Sequence, residues 1–212
     1  MITFKNILNE GTKNGNMKYY HGTSDGKLGL QIINDGIIKS GMVKRKGWQK
    51  PREGRVYLTQ DLEYATIYTI GAAMIGKNID AWIKDEGRYG YLFVVNRNEI
   101  GTDTIPDEDF VGELISKKTF PWLNEKAKKI FSNDMYNKAM QGDAMYQIRM
   151  GNILLNKNRL NKYEIEEILK TGCAISVKSP VKFDECYKFD KTLNKYLNED
   201  ASNFFEYAEK II

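Results

Sequence analysis

The stretch Lys18-Tyr19-Tyr20-His21-Gly22-Thr23-Ser24 holds the only histidine in a chain of 212 residues. A lone histidine on a strand is most often a satisfied core residue, yet its imidazole is also the side chain whose charge changes near neutral pH. The glycine that follows His21 leaves the backbone N–H and C=O open to a ligand, because no side chain blocks approach. Such a pair of groups suits a planar amide. Gly54-Arg55-Val56-Tyr57-Leu58-Thr59 follows some three dozen residues later, and Tyr68 stands eleven positions beyond Tyr57. Two aromatic rings delivered from different elements can sandwich a flat ring, although core packing is the commoner use of the 13 tyrosines.

A second group of chemically capable residues is acidic. Asp107, Glu108, Asp109 and Glu113 fall within Ile105-Pro106-Asp107-Glu108-Asp109-Phe110-Val111-Gly112-Glu113. Clustered acids beyond a strand usually form a solvated turn. Crowded around Phe110 and Val111 they also repel one another, which raises a carboxyl pKa or calls for a cationic partner. Glu108 and Asp109 are the candidate catalytic acids, with Glu113 and Glu185 as alternatives.

The elements that must position these groups follow from pattern. Met17–His21 reads as a strand, and residues 26–34 as a helix with Leu28, Ile32 and Ile33 inward and Gly36 as its stop. Arg55–Thr59 is a second strand. Thr59 or Asp61 caps a helix from Leu62 to about Ile75. Tyr91-Leu92-Phe93-Val94-Val95 is the expected central strand. Helices are predicted over about 122–140, 146–155 and 162–170, with Gly172 closing the last. They form a helical insertion over about 121–171 within one domain spanning 17–212. Ala174–Val177 reads as a strand broken by Pro180, residues 181–189 as a further short strand or turn, and residues 193–211 as a C-terminal helix. Residues 1–16 form an appendage: an amphipathic helix carrying Phe4, Ile7 and Leu8, then a polar linker.

Composition bounds the function classes. Apolar residues make up 42% and charged residues 28% of the chain, as expected of a globular domain. A net charge of +4 from 32 basic and 28 acidic residues is too even to be the footprint of a nucleic-acid binder by itself. The local exception is Lys44, Arg45, Lys46, Lys50 and Arg52 around Trp48, in the long polar loop of residues 39–53. Cys173 and Cys186 have no CxxC spacing and no second histidine, so no metal is expected, and two thiols suit a reducing cytosol. No apolar run approaches the roughly 18 residues of a membrane span, so no membrane partner is expected.

At the His-Gly-Thr and tyrosine positions the chain resembles the ADP-ribosyltransferase superfamily, in its diphtheria-toxin-like and poly(ADP-ribose) polymerase-like branch. The resemblance covers about residues 18–70 and weakly 91–96. It implies an α+β fold with a split β-sheet core, NAD as co-substrate, and transfer of ADP-ribose to a macromolecular acceptor, a host protein or a nucleic acid, with release of nicotinamide. Carried onto this sequence, it makes His21 the ribose ligand and Gly22 the clamp on the carboxamide. Thr23 joins the cofactor-binding group, Tyr57 is the strand tyrosine and Tyr68 the stacking tyrosine. Three departures stand out. Gly54 precedes Tyr57 by three positions rather than two, Ala65 stands where the family has a serine, and Thr171-Gly172-Cys173 offers no acid where the family's catalytic glutamate opens a late strand.

That missing acid and the basic loop suit a relative of the same fold, the NAD-dependent RNA 2′-phosphotransferases. A third expectation is an inactive NAD- or protein-binding module of this fold. Leu8-Asn9-Glu10 before Gly11 also resembles the cleavable leader of internal head proteins of large tailed phages. That resemblance implies packaging in a capsid and action in the host cytoplasm.

Overall fold

In the computed structural model, described over residues 17–40, 54–71, 79–101, 103–172, 174–198 and 200–212, His21 lies on β1 (Lys18–Thr23). The leader at 1–16, the basic loop at 44–52 and Cys173 fall outside the described residues. The described residues form two compact units, one within 1–104 and 176–212 and one within 105–175.

In the first unit β1 leads to α1 (Gly26–Asp35), which Asp25 caps by accepting from the Lys27 and Leu28 amides and which Gly36 ends in the left-handed region at φ 67°. Then come β2 (Ile37–Ile38), β3 (Arg55–Leu58) and α2 (Leu62–Ile70), where Asp61, not Thr59, is the cap. The remaining part of the predicted helix, up to Ile75, includes residues outside the described set. A helix the sequence did not signal, α3 (Ile79–Glu86), precedes β4 (Tyr89–Asn96).

The second unit contains β5 (Ile105–Pro106), α4 (Glu108–Ser116), α5 (Pro121–Ile130), α6 (Asn133–Met140), α7 (Ala144–Asn156) and α8 (Lys162–Leu169). The chain then runs through β6 (Ile175–Lys178), β7 (Val181–Lys182) and β8 (Glu185–Asp190). A 3-10 helix (Lys191–Tyr196), α9 (Phe204–Tyr207) and β9 (Ala208–Lys210) complete it.

The fold is α+β. The main sheet of the first unit is antiparallel in the order β1-β4-β8-β9, with His21 opposite Phe93 and Gly22 opposite Leu92. The run Tyr91–Val95 is apolar throughout because β4 is interior and covered on both faces. On one face Gly29 of α1 sits against the Tyr91 ring. On the other α2 crosses so closely that a Cβ on Gly22 would lie 2.2 Å from the Ala65 carbonyl oxygen, and one on Gly90 1.8 Å from that of Thr69. Gly22 is therefore required for packing, independently of any ligand. Beyond this sheet, β3 lies beside β6, and β2 pairs with β7.

In the second unit α4 and α7 cross through Gly112 and Gly151, the latter facing the Glu108 carbonyl. Leu123, Ala127, Met150, Leu154 and Ile168 are buried.

Three expectations are corrected. The helix predicted over 122–140 is two helices, because Ser132 caps α6 through the Met135 amide and Phe131 is extended. The acidic stretch is no turn: Asp107 caps α4, and Glu108 and Asp109 occupy its first turn, where the helix dipole favours negative charge. The C-terminal helix is not one continuous helix among the described residues. Asn198, Asp200, Ser202 and Asn203 interrupt it with turns, Ala201 takes φ 54°, and the last apolar residues go to α9 and to pairing of β9 with β8.

Candidate functional site

The site forms where β1 and β3 part. Tyr20 exchanges both backbone hydrogen bonds with Thr59, at 2.7 and 3.0 Å. Continued in antiparallel register, this pairing would set Gly22 against Tyr57. It stops instead after one bridge. Backbone groups alternate sides along a strand, so the N–H and C=O of Gly22 point to the same edge as those of Tyr20. Neither has a backbone partner among the described residues. The edge of β1 thus offers one donor and one acceptor, side by side, beside Tyr57.

His21 holds that opening. Its Nδ1 lies 2.9 Å from the Tyr57 carbonyl oxygen. A carbonyl only accepts, so Nδ1 carries the proton and Nε2 is left as an acceptor in the neutral ring. Burial of the ring beside Phe93 lowers the His21 pKa, and the bond to Tyr57 opposes part of that shift. Phe93 in turn packs edge-on against Phe183.

The other predicted residues divide. Thr23 is buried and its hydroxyl accepts from the Asp25 amide, so it shapes the turn after β1. Tyr57 is half-buried on β3. Tyr68 lies on α2 with its ring edge-on to Tyr64 at 5.1 Å and the two hydroxyls 3.1 Å apart. Ala65, where the resemblance expects a serine, is 1% exposed and packs with Ile70, Leu92, Phe189 and Phe204. That position is core here.

Glu108 and Asp109 belong to the second unit, and His21, Gly22, Thr23, Tyr57 and Tyr68 to the first. Burial, and then the neighbouring Glu108, push the Asp109 carboxyl up to about 6. Of the alternatives, Glu113 pairs with Lys117. Glu185 accepts from the Tyr187 hydroxyl and pairs with Lys18 and Lys210, and its pKa is lowered, chiefly by the Tyr187 bond.

Beside β3, β6 carries Ser176, fully buried, and no carboxylate over Ile175–Lys178. The Arg55 guanidinium of β3 reaches across to Ser176 and pairs with the Asp103 carboxylate at 3.4 Å. Its Nε donates to the Ser176 hydroxyl at 2.8 Å, and one terminal nitrogen donates to the Ser176 and Asp103 carbonyls at 2.7 and 2.6 Å. Arg55 was legible as a candidate only through its position two residues before Tyr57, on the same face of the strand.

No protein family matches the chain, and no characterised relative or solved structure does either. Among the described residues no cluster of His, Cys, Asp and Glu has the makings of a metal site, and no helix is long and apolar enough to cross a membrane.

Proposed function

We propose that the protein transfers ADP-ribose from NAD to a macromolecular acceptor, a host protein, releasing nicotinamide. One observation carries the proposal: Gly22 turns an N–H and a C=O outward on an open strand edge, next to a neutral imidazole whose Nε2 accepts. A carboxamide supplies the complementary acceptor and donor. A ribose hydroxyl supplies the donor that Nε2 takes. Tyr57 and Tyr68 are the rings this proposal assigns to the nicotinamide face. In the reaction the bond from the ribose C1′ to the nicotinamide nitrogen breaks, the acceptor nucleophile bonds to C1′, and its proton leaves. The residues of the first unit bind and orient.

The test is incubation with adenylate-labelled NAD and a host lysate. Label on an acceptor is expected with the wild type and its loss with His21→Ala. Equal labelling by both proteins would sink the proposal. Glu108→Gln and Asp109→Asn in the same assay read whether either acid takes part.

Thr171 and Gly172, which offer no acid where the resemblance expects a glutamate, favour a second reading: an NAD-dependent RNA 2′-phosphotransferase, whose chemistry needs cations for an RNA phosphate rather than a carboxylate. Release of a 2′-phosphate from a model RNA with NAD present distinguishes it. If neither activity appears and millimolar NAD leaves the melting temperature unchanged, the inactive-module reading stands, since a ligand at 100 times its Kd stabilises by about 2.7 kcal/mol.

A further inference from the structure

Lys191, the first residue of the 3-10 helix after β8, is 0% exposed. Its Nζ donates to the carbonyl of Ser24 at 2.5 Å and to that of Gly87 at 2.8 Å. Its own backbone N–H donates to the Arg88 carbonyl at 3.1 Å. These acceptors sit at the end of the main sheet. The last pair of β1 with β4 is Thr23 with Tyr91, so the Ser24 carbonyl is the first past that ladder. Gly87 directly follows α3, two residues before β4 begins. The same end carries two further ties: the Ser24 hydroxyl donates to Glu86, and Arg88 Nε donates to Asp190 at 2.8 Å.

Taking an ammonium out of water is costly, and an apolar side chain of similar volume packs more cheaply. It would, however, remove the donor that these two carbonyls share. One tetrahedral donor reaching both from a single point explains why a lysine stands there. The Ser24 turn is three residues from His21 and two from Gly22, on a strand whose other edge has lost its partner after one bridge. The brace is therefore one of the ties that hold this end of β1, beside the Ser24 hydroxyl on Glu86.

We propose that Lys191 is a positioning residue: by holding the Ser24 carbonyl it sets where the His21 imidazole and the Gly22 backbone stand against Tyr57. Its consequence for nicotinamide rests on the NAD reading, whereas the brace itself does not.

The test uses the full chain with Lys191→Met, which removes the donors, and Lys191→Gln, which keeps an N–H donor on a shorter stem. With one histidine in the sequence, NMR reads the titration of His21 without assignment. In the wild type it titrates below the ordinary value; in Lys191→Met it moves toward about 6.5, and in Lys191→Gln it falls between. NAD binding, measured by calorimetry well below the melting temperature of each protein, weakens about tenfold in Lys191→Met, matching the loss of roughly one net hydrogen bond. A folded variant that melts lower yet titrates His21 like the wild type overturns the proposal. If Lys191→Met does not fold, an unchanged titration in Lys191→Gln does so equally. If the wild type binds no NAD, the NAD reading fails while the titration still decides the brace.

Discussion

His21 Nδ1 lies 2.9 Å from the carbonyl oxygen of Tyr57, at the place where β1 and β3 would otherwise continue to pair. A side chain has replaced a backbone ladder there, and the exchange is what leaves the Gly22 edge open.

The lowered pKa of His21 makes stability depend on pH. Below 6.5 the unfolded chain binds a proton that the folded chain resists, so folding loses ground as acid is added. The contribution is complete above about 6.5 and is lost as the pH falls through the folded value. Urea denaturation of wild type and His21→Asn at pH 8 and pH 5 measures it. The wild type should lose more than the variant, and parallel losses would exclude a buried neutral imidazole.

Asp109 runs the other way. Its carboxyl is raised from 3.8 to about 6, so the folded state binds the proton more readily, and stability falls as the pH rises from near 3.8 to 6 and stays low above it. Asp109→Asn should stabilise the protein at pH 7.5 by roughly 2 kcal/mol, after allowance for partial exposure, and by almost nothing at pH 3.5. A gain that is equal at both values would mean the effect is not titration.

The close crossing of α2 over the main sheet predicts a graded set of glycine variants. Gly22→Ala and Gly90→Ala each push a methyl into a helix carbonyl and should cost about 1–3 kcal/mol or more. Gly101, with nothing within 4 Å of an added Cβ, is the control and should change stability by less than about 0.5 kcal/mol. Chemical denaturation of all three checks the ranking.

What the sequence disclosed and what it hid follow from the range of the forces involved. β4 and α1 were legible because a buried apolar run and an αL glycine after a helix are local signals. The break at Ser132 was also local, a serine cap overlooked inside an apolar periodicity. α3 and the C-terminal β9 were not, since β9 exists through its pairing with β8. In the site, His21, Gly22 and Tyr57 were found from residue type, and the structure brings them together. Arg55, Ser176 and Lys191 were missed because their roles come from partners 121, 121 and 167 positions away. Gly22 was read as a ligand clamp, yet the approach of Ala65 shows that packing alone demands it.

Because His21 is held by a backbone carbonyl, the Tyr57 ring and the Tyr57 carbonyl can be tested apart. Tyr57→Ala removes the ring and keeps the acceptor, so the histidine should titrate as in the wild type. Tyr57→Phe removes only the hydroxyl. If the ring stacks on a bound base, NAD binding should weaken by about tenfold or more in the alanine variant, as expected for the loss of a stacking contact worth roughly 1–3 kcal/mol. The phenylalanine variant should bind close to the wild type. Calorimetry with NAD, run beside the His21 titration, separates the cases. Loss of binding together with a displaced His21 titration would mean that the ring supports the strand rather than the ligand.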